Sequence, residues 1–324
     1  MGNFFGNISL ALKLKLGYIP STLQYEAKLQ KSWEDVIFFQ QFPEGDLWKE
    51  YVELKGKKYS SKNEQKASQV RLKNIEKSDE WRRYKKLAKS SLVSQMSKLE
   101  ETFVDNFEGN SINQDRWLPK YFWGDKLIGK GYSHSEEFHH YTEGQNLYVK
   151  NGRLIIKTEQ GSHTGMVWDK KFGFIPKKCD FTSGIVNTGH SFRQRYGRFE
   201  AKVTFSRIDG VYNAFWMVGD NATPHLNVFK INQNLELGVI NGIKEANLSK
   251  VSSDLLKENS YIVGLEWGKK DVKWLINGVV VKKMSNDLPD SPLYLVFSSG
   301  VQKKPSDKIA NDFIIDWVRC YKRN

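Results

Sequence analysis

The chain has 324 residues, of which 39% are hydrophobic and 13% aromatic, a composition that excludes a disordered polypeptide and allows one large β domain plus a smaller segment. Its net charge of +13 favours acidic partners such as polyanionic glycans, although solvated lysine-rich helix faces account for most such excesses and nucleic-acid binding is not expected. Two cysteines, Cys179 and Cys320, are too few for a disulfide framework and are predicted to be buried free thiols.

The N-terminal residues carry no recognisable export signal. The apolar stretch 8–12 is broken by Lys13 and Lys15 before it reaches signal-peptide length, and no small-residue cleavage site follows. No apolar run approaches the length of about 20 residues that a membrane-spanning helix needs. These features favour a cytoplasmic or particle-associated location over secretion by the general route.

The first hundred residues are predicted to be helical. Residues 1–60 mix aromatic and charged side chains without a clear period, which predicts short helices and an extended arm whose aromatic rings must pack on something. From residue 61 to 101, apolar side chains recur at three- to five-residue steps, and Ser78 or Asp79 is placed to cap a helix. This pattern predicts a basic amphipathic helix or helix pair, with docking on the chain's own domain favoured over a membrane or partner role.

After Phe103 the hydrophobic period changes to two, so a domain boundary is predicted near residues 100–104. Segment 199–205 alternates apolar and polar residues, as a half-buried strand does. The final segment 313–321 is apolar on both faces except at Asp316 and Arg319, which predicts a strand in the middle of a sheet.

Three Asn-Gly pairs predict β-hairpins. Asn151-Gly152 and Asn277-Gly278 each separate two apolar runs, and Asn241-Gly242 is a third candidate. Asn-Gly is the strongest short hairpin signal because both central residues of a type I′ turn need positive φ. The sequence therefore predicts a basic helical extension over residues 1–102 and an all-β, two-sheet antiparallel sandwich over residues 103–324.

Several short segments, occurring in the same order, resemble glycoside hydrolase family 16, the laminarinase-like enzymes. The matching segments are 103–109 with Trp117, 182–185 followed by 196–202, 214–217, 265–267 with 276–279, and 316–319. Together they cover about residues 103–321. The resemblance implies a two-sheet jelly roll with a concave sugar-binding face.

The active site of that family is a Glu-x-Asp-x-x-Glu strand, in which alternation and a bulge point three carboxylates into the cleft. Its first Glu is the nucleophile, the Asp tunes the pair, and the last Glu is the acid/base. The resemblance places His225, Asn227 and Lys230 at these positions, and no Asp or Glu lies between Ala222 and Gln233. Because glycosidases need two carboxyl groups, it predicts a non-catalytic member of the fold, a glycan-binding or scaffolding module.

Two alternatives remain open. In the first, the chain is an active hydrolase of a β-linked polysaccharide that uses a rebuilt catalytic pair. The carboxylates available for such a pair are Glu136, Glu137 and Glu143, which lie in a segment similar to the family's substrate strand. Glu137 and His139 take the Glu and Gln positions of that strand. The second alternative is a structural protein of a homo-oligomer or larger particle, in which residues 1–60 grip neighbouring subunits.

The three replacements change the expected charge of the cleft from negative to neutral or positive. A sulfated, uronic or phosphorylated glycan then becomes a fitting guest, with Lys230 as a point charge and Arg193 or Arg195 as a planar fork. The opposing interpretation is that Lys230 and His225 satisfy a carboxylate such as Glu137 and close an unused cleft.

Flat aromatic rings suit the apolar face of a pyranose, and core packing is their competing explanation, which is favoured for Trp216. The substrate-binding candidates are Glu137, His139, Tyr212, Trp216, Trp123, Trp168 and Arg193.

Some family members hold a structural Ca²⁺, and the matching positions are Asn106, Gly152 and Asp316. Asn106 replaces a charged ligand, and hard cations favour charged oxygens, so the ion is expected to be weakened or absent. The histidines offer no tight metal-binding spacing beyond the adjacent pair His139 and His140, and no other cofactor is expected.

Overall fold

The computed structural model describes residues 2–242, 246–305 and 308–323. The helices are α1 (Gly2–Lys15), α2 (Thr22–Gln41), α3 (Asp46–Gly56), α4 (Lys62–Lys77), α5 (Asp79–Leu87), α6 (Ser91–Met96) and α7 (Phe122–Ile128). The strands are β1 (Leu99–Asp105), β2 (Tyr132–His134), β3 (His139–Tyr141), β4 (Leu147–Val149), β5 (Leu154–Asp169), β6 (Gly173–Ser183), β7 (Ile185–Asn187), β8 (Gly197–Thr204), β9 (Val211–Val218), β10 (His225–Ile231), β11 (Asn234–Ile240), β12 (Ala246–Ser252), β13 (Ser260–Trp267), β14 (Val272–Ile276), β15 (Val279–Met284), β16 (Tyr294–Val301) and β17 (Ala310–Arg323).

The chain divides into two compact units. A helical unit comprises residues 23–100, and a sandwich unit combines the segment that ends at Thr22 with residues 101–322. Helix α1 therefore groups with the β-sandwich, although it precedes the helical unit in the chain.

The helical unit packs several of its aromatic residues into one cluster. Phe42 and Trp81 are buried together with Ile75, and the ring of Trp48 stacks on that of Trp81 with centroids 5.6 Å apart. The predicted extended arm is wrong, because α2 alone runs for 20 residues. A cluster shared among several helices leaves each helix few apolar positions, too few to reveal a helical period in the sequence.

The helices predicted between residues 61 and 101 are confirmed as α4, α5 and α6. The predicted cap at Ser78 is also present, since its Oγ accepts a hydrogen bond from the backbone N–H of Trp81 at 3.3 Å. Ser61 and Ser90 cap α4 and α6 in the same way.

The two clear hairpin predictions are confirmed. Asn151 and Gly152 have φ of 54° and 67° between the paired strands β4 and β5. Asn277 and Gly278 have φ of 45° and 74° between β14 and β15. Asn241-Gly242 connects the paired strands β11 and β12, but residues 243–245 of this connection lie outside the described residues.

Two sheets form the sandwich. The larger follows the order β15-β14-β13-β8-β17-β5-β6-β3, with β1 on β17 and with β2 and β4 on β5. The smaller follows β12-β11-β10-β9-β16-β7. Strand β17 lies between β8 and β5, which confirms the predicted central strand.

The core between the sheets is apolar and rich in aromatic residues, and Trp117, Trp274, Phe215 and Phe297 are all fully buried. Cys179 and Cys320 are free and buried, as predicted. The predicted all-β sandwich preceded by helices is confirmed. Among the described helices, none combines the length and apolar character required to span a bilayer.

Candidate functional site

A β-bulge in β10 decides which way its side chains point. Val228 and Phe229 are consecutive residues, yet both lie in the core, because the pairing with β11 shifts register between Asn227 and Lys230. His225, Asn227 and Lys230 therefore share the opposite side of the strand. We call this side of the six-stranded sheet, which faces away from the core, the outer face.

Strand β9 supplies the aromatic part of the outer face. Trp216 is paired with Asn227, its ring lies 5.5 Å from that of His225, and its Nε1 donates to Ser298 Oγ at 3.2 Å. Trp216 lies outside the sandwich core and is half-buried, as are His225 and Lys230. The outer face above β9 and β10 thus reaches solvent.

His225 is held as a neutral ring. Burial lowers its pKa, and its Nδ1 lies 3.0 Å from the carbonyl oxygen of Ala222, an acceptor that requires the proton on Nδ1. At neutral pH this side chain carries no charge.

Lys230 presents an ammonium group to an aromatic ring. Its Nζ lies 4.8 Å from the ring centroid of Tyr212. Burial lowers the pKa of Lys230, and Glu236 and Glu137 oppose this shift. Within the described part of the chain Lys230 forms no ion pair, and Glu236, its partner across the β10–β11 ladder, is bound instead by Lys250 at 3.1 Å.

Asn227 is buried and is bound within the protein. Its Nδ2 donates to the backbone carbonyl oxygen of Glu236 at 3.2 Å, and its backbone carbonyl oxygen accepts from Trp274 Nε1 at 2.9 Å. A neutral amide at this position does not perturb the ionisation of neighbouring groups as a carboxylate would.

Glu137 joins the outer face through a buried hydrogen-bond network. Its Oε1 accepts from the Tyr212 hydroxyl at 2.9 Å, and that hydroxyl lies 2.7 Å from the hydroxyl of Tyr141. Burial raises the pKa of both tyrosines, so both stay protonated. Tyr141 carried no sequence signal, because it sits in a three-residue strand without a readable period.

His139 is buried beside this network, with its ring 4.6 Å from that of Tyr141. Its Nδ1 accepts the Val301 N–H at 3.0 Å, which leaves the proton of the neutral ring on Nε2, 3.7 Å from Glu137 Oε2. Burial lowers the pKa of His139, and Glu137 opposes the shift. The side chain is fully buried and does not contact solvent, and within the described residues its Nε2 makes no hydrogen bond.

Trp123 and Arg193 lie together and, within the described residues, make no hydrogen bond to this network. Trp123 Nε1 donates to the carbonyl oxygen of Asp220 at 2.9 Å, and Arg193 Nη1 donates to the carboxylate of Asp220 at 2.8 Å. The guanidinium of Arg193 also lies over the rings of Phe122 and Tyr294. Arg193 is thus already bound by an anion and two aromatic faces.

Trp168 lies at the far end of β5, with 40% of its side chain exposed. Its ring packs edge-on against Phe174 at 5.0 Å, and no ring contact joins it to Trp216 in the described structure. The structure therefore brings Glu137, His139, Tyr212 and Trp216 together and leaves Trp168 separate.

A second cluster covers one end of the outer face. Its buried members are Tyr121, Phe122, Tyr132, Tyr141, Ile185, Val218, Tyr294 and Val296. Residues from α7, β2 and β3 thereby pack over parts of β7, β9 and β16. The accessible part of the outer face is consequently the part around β10.

The proposed calcium ligands offer a poor fit for the ion. Asp316 is the single carboxylate of the set, and its Oδ1 accepts from Arg153 Nε at 3.0 Å. Gly152 does lie beside Asn106, since a Cβ at Gly152 would be 3.7 Å from the carbonyl oxygen of Asn106. A guanidinium on the one charged ligand competes with a hard dication.

We expect Ca²⁺ and EDTA to leave the melting temperature unchanged. A bound ion would stabilise the folded state by about 2.7 kcal/mol at a concentration one hundred times its Kd. Differential scanning fluorimetry of the wild type and Asp316→Asn provides the measurement. A rise in melting temperature with Ca²⁺ that Asp316→Asn abolishes would contradict this expectation.

The two sheets, their core and the outer face define a mostly antiparallel β-sandwich of the jelly-roll class, in which β2 with β5 and β3 with β6 are parallel pairs. No protein-family model matches the chain. Among curated proteins it is similar to glucan endo-1,3-beta-glucosidase A1 of Niallia circulans. The two are 23% identical over an alignment 260 residues long, which covers 67% of this chain. The chain spans only 37% of the length of that relative.

The solved structures identify the fold more closely. The catalytic domain of an endo-1,3-beta-glucanase (laminarinase) from Thermotoga petrophila is 20% identical, covers 70% of this chain and 98% of its own, and has a TM-score of 0.56. SCLam, a non-specific endo-beta-1,3(4)-glucanase from family GH16, is 18% identical, covers 70% of this chain and 92% of its own, and has a TM-score of 0.57. The predicted resemblance to glycoside hydrolase family 16 is thereby confirmed for the fold.

Proposed function

We propose that this chain binds a polysaccharide on the outer face of its six-stranded sheet without cleaving it, as a pseudoenzyme of the family 16 fold. Relatives with this fold are named as glucanases, which supports a glycan as the ligand. At the positions that resemble the family's carboxylates, the chain carries His225, Asn227 and Lys230. Glycoside hydrolysis requires two carboxyl groups, and this strand supplies none.

The observation that carries the proposal is the placement of Lys230. Its ammonium lies over the ring of Tyr212 at the position that resembles the acid/base. A cation there would repel the positive charge that develops on the sugar in the transition state. The same cation can donate hydrogen bonds to a bound glycan, because Lys230 has three N–H groups and no ion-pair partner among the described residues.

The chemistry of the outer face favours a glycan that carries anionic groups. Trp216 offers a half-buried ring against which a pyranose can stack, and Lys230 offers a charge for a sulfate or uronate. The two nearby carboxylates are already engaged, Glu137 by Tyr212 and Glu236 by Lys250. Glu236, which is paired with the ammonium group of Lys250, therefore weakens the attraction less than a free carboxylate would.

Titration calorimetry with laminarin and with carrageenan tests the proposal. We expect both to bind, carrageenan more tightly, and Trp216→Ala to weaken both by about tenfold, since an aromatic contact contributes roughly 1 kcal/mol beyond its buried area. Lys230→Met is expected to remove only the preference for carrageenan.

Phe172→Ala is the matched control, because Phe172 is an aromatic residue that is 65% exposed and lies on a different hairpin. It should bind as the wild type does. Absence of heat with both polysaccharides, or equal binding by Trp216→Ala and the wild type, would show that the outer face is not a glycan site.

A further inference from the structure

We infer a second ligand site, for the phosphate or sulfate group of a small organic anion, in a cavity at the open edge of the sandwich. The cavity has a volume of about 410 Å³, and its lining includes Ser9, Lys13, Asn247, Lys282 and Lys283. Neither the outer face nor the resemblance to hydrolases accounts for it.

The position of the cavity follows from the sheet topology. Strand β15 is the edge strand of the larger sheet, and β12 is the edge strand of the smaller sheet. Helix α1 contacts both edges and supplies Ser9 and Lys13, which lie four residues apart and so share one side of the helix. The cavity thus lies where two sheet edges and a helix meet.

Lys282 enters the cavity with neutral partners only. Its Nζ donates to Asn247 Oδ1 and to Ser249 Oγ, each at 3.2 Å, and lies 5.9 Å from the ring centroid of Trp274. An ammonium group has three N–H donors, so one is left without an acceptor in the described structure. Burial lowers the pKa of Lys282 to about 8, as expected for a charge without a counter-ion.

Lys13 adds a second uncompensated charge. Its Nζ donates to the carbonyl oxygen of Val280 at 2.7 Å, which leaves two of its N–H donors without a described acceptor. Lys283 is different, because Asp271 pairs with it at 2.9 Å. None of the described lining residues is acidic, so Lys13 and Lys282 give the cavity a positive charge.

An oxyanion meets both requirements of this cavity. It supplies the missing negative charge and accepts several charge-assisted hydrogen bonds at once, for which lysine serves as a point charge. The volume of about 410 Å³ falls in the range of small-molecule pockets, roughly 300–1,000 Å³, so an organic group the size of a monosaccharide fits beside the anion. The competing explanation is that Asn247 and Ser249 satisfy Lys282 and the cavity holds only water.

Titration calorimetry of the full chain with glucose 6-phosphate tests the inference, with glucose as the uncharged control and inorganic phosphate and sulfate as separate arms. We expect saturable binding of glucose 6-phosphate and none of glucose. Lys282→Met and Lys13→Met should each weaken binding about tenfold or more, because each removes a charge-assisted hydrogen bond. Lys178→Met, a change of an exposed lysine on β6, should have no effect.

Lys13→Met, on a surface helix, keeps the test valid if Lys282→Met fails to fold. Binding of inorganic phosphate or sulfate alone would also support an oxyanion site and would identify the bound species as a free ion. No saturable binding in any arm, or the same weak heat in all variants including Lys178→Met, would overturn the inference. Polysaccharide binding and its loss in Trp216→Ala are measured separately, so the two proposals can fail independently.

Discussion

The purified protein is expected to release reducing ends from laminarin, agarose or carrageenan no faster than the polysaccharide does alone. Loss of general acid/base help by itself lowers a rate by about 10²–10⁴. In this chain the position that resembles the family's nucleophile also carries a neutral histidine, His225, whose Nδ1 lies 3.0 Å from the carbonyl oxygen of Ala222. Reducing-sugar assays at high protein concentration provide the measurement.

A triple variant tests whether the scaffold is otherwise intact. The bulge in β10 already directs positions 225, 227 and 230 to the outer face. We therefore expect His225→Glu, Asn227→Asp and Lys230→Glu together to raise the rate of hydrolysis by at least about 10², the lower end of acid/base catalysis. The matched control is His225→Gln with Lys230→Gln, which has similar shape but no ionisable acid and should remain inactive.

Activity of the wild-type chain would contradict the proposed function. If Glu137→Gln then abolished that activity, the rebuilt hydrolase would be the correct alternative, because Glu137 is the carboxylate that the Tyr212 hydroxyl binds at the outer face. Circular dichroism of each variant separates lost folding from lost chemistry.

Asn277→Ala is expected to lower the free energy of unfolding by about 3–5 kcal/mol. Asn277 is buried at a φ of 45°, and its Oδ1 accepts the Ile262 N–H at 2.8 Å. Its Nδ2 donates to the carbonyl oxygen of Pro20 at 2.9 Å and to Thr22 Oγ1 at 3.0 Å. Each lost hydrogen bond costs about 1 kcal/mol or more when its partner stays buried, and alanine at positive φ costs roughly 1–2 kcal/mol.

Asn151→Ala is the matched control, since Asn151 occupies the same kind of Asn-Gly turn at a φ of 54°. This side chain is exposed and makes no described hydrogen bond, so only the backbone cost of about 1–2 kcal/mol is expected. Asn277→Gly separates the two contributions, because glycine removes the side chain and tolerates the turn. Urea denaturation followed by tryptophan fluorescence gives the values, and equal losses at positions 151 and 277 would refute the anchoring role of Asn277.

These two turns show how far local sequence can be read. Asn-Gly predicted both hairpins correctly, because the positive φ that the turn needs is a local property of two residues. The pattern could not distinguish the anchored turn from the free one. Two of the partners of Asn277, Pro20 and Thr22, lie more than 250 positions away in the chain, and only folding brings them together.

In the candidate site, too, the sequence predicted some features and left others to the tertiary structure. The resemblance placed His225, Asn227 and Lys230 on one strand, and the bulge that puts them on one face agrees with the family's pattern. It could not place Trp168 and Arg193, which the structure leaves outside the Glu137 network, because loop and hairpin ends are positioned by distant packing.

By itself, the sequence determined the class of fold, two hairpins, the helices after residue 61 with the cap at Ser78, and the absence of carboxylates from β10. Tertiary structure alone decided that residues 22–41 form one helix, that the Tyr212 hydroxyl binds Glu137, and that Lys282 lies in a cavity with neutral partners. The physical reason is the range of the interactions. Turns, caps and alternation depend on neighbours along the chain, whereas buried networks and cavities depend on side chains from several strands that meet only in the folded protein.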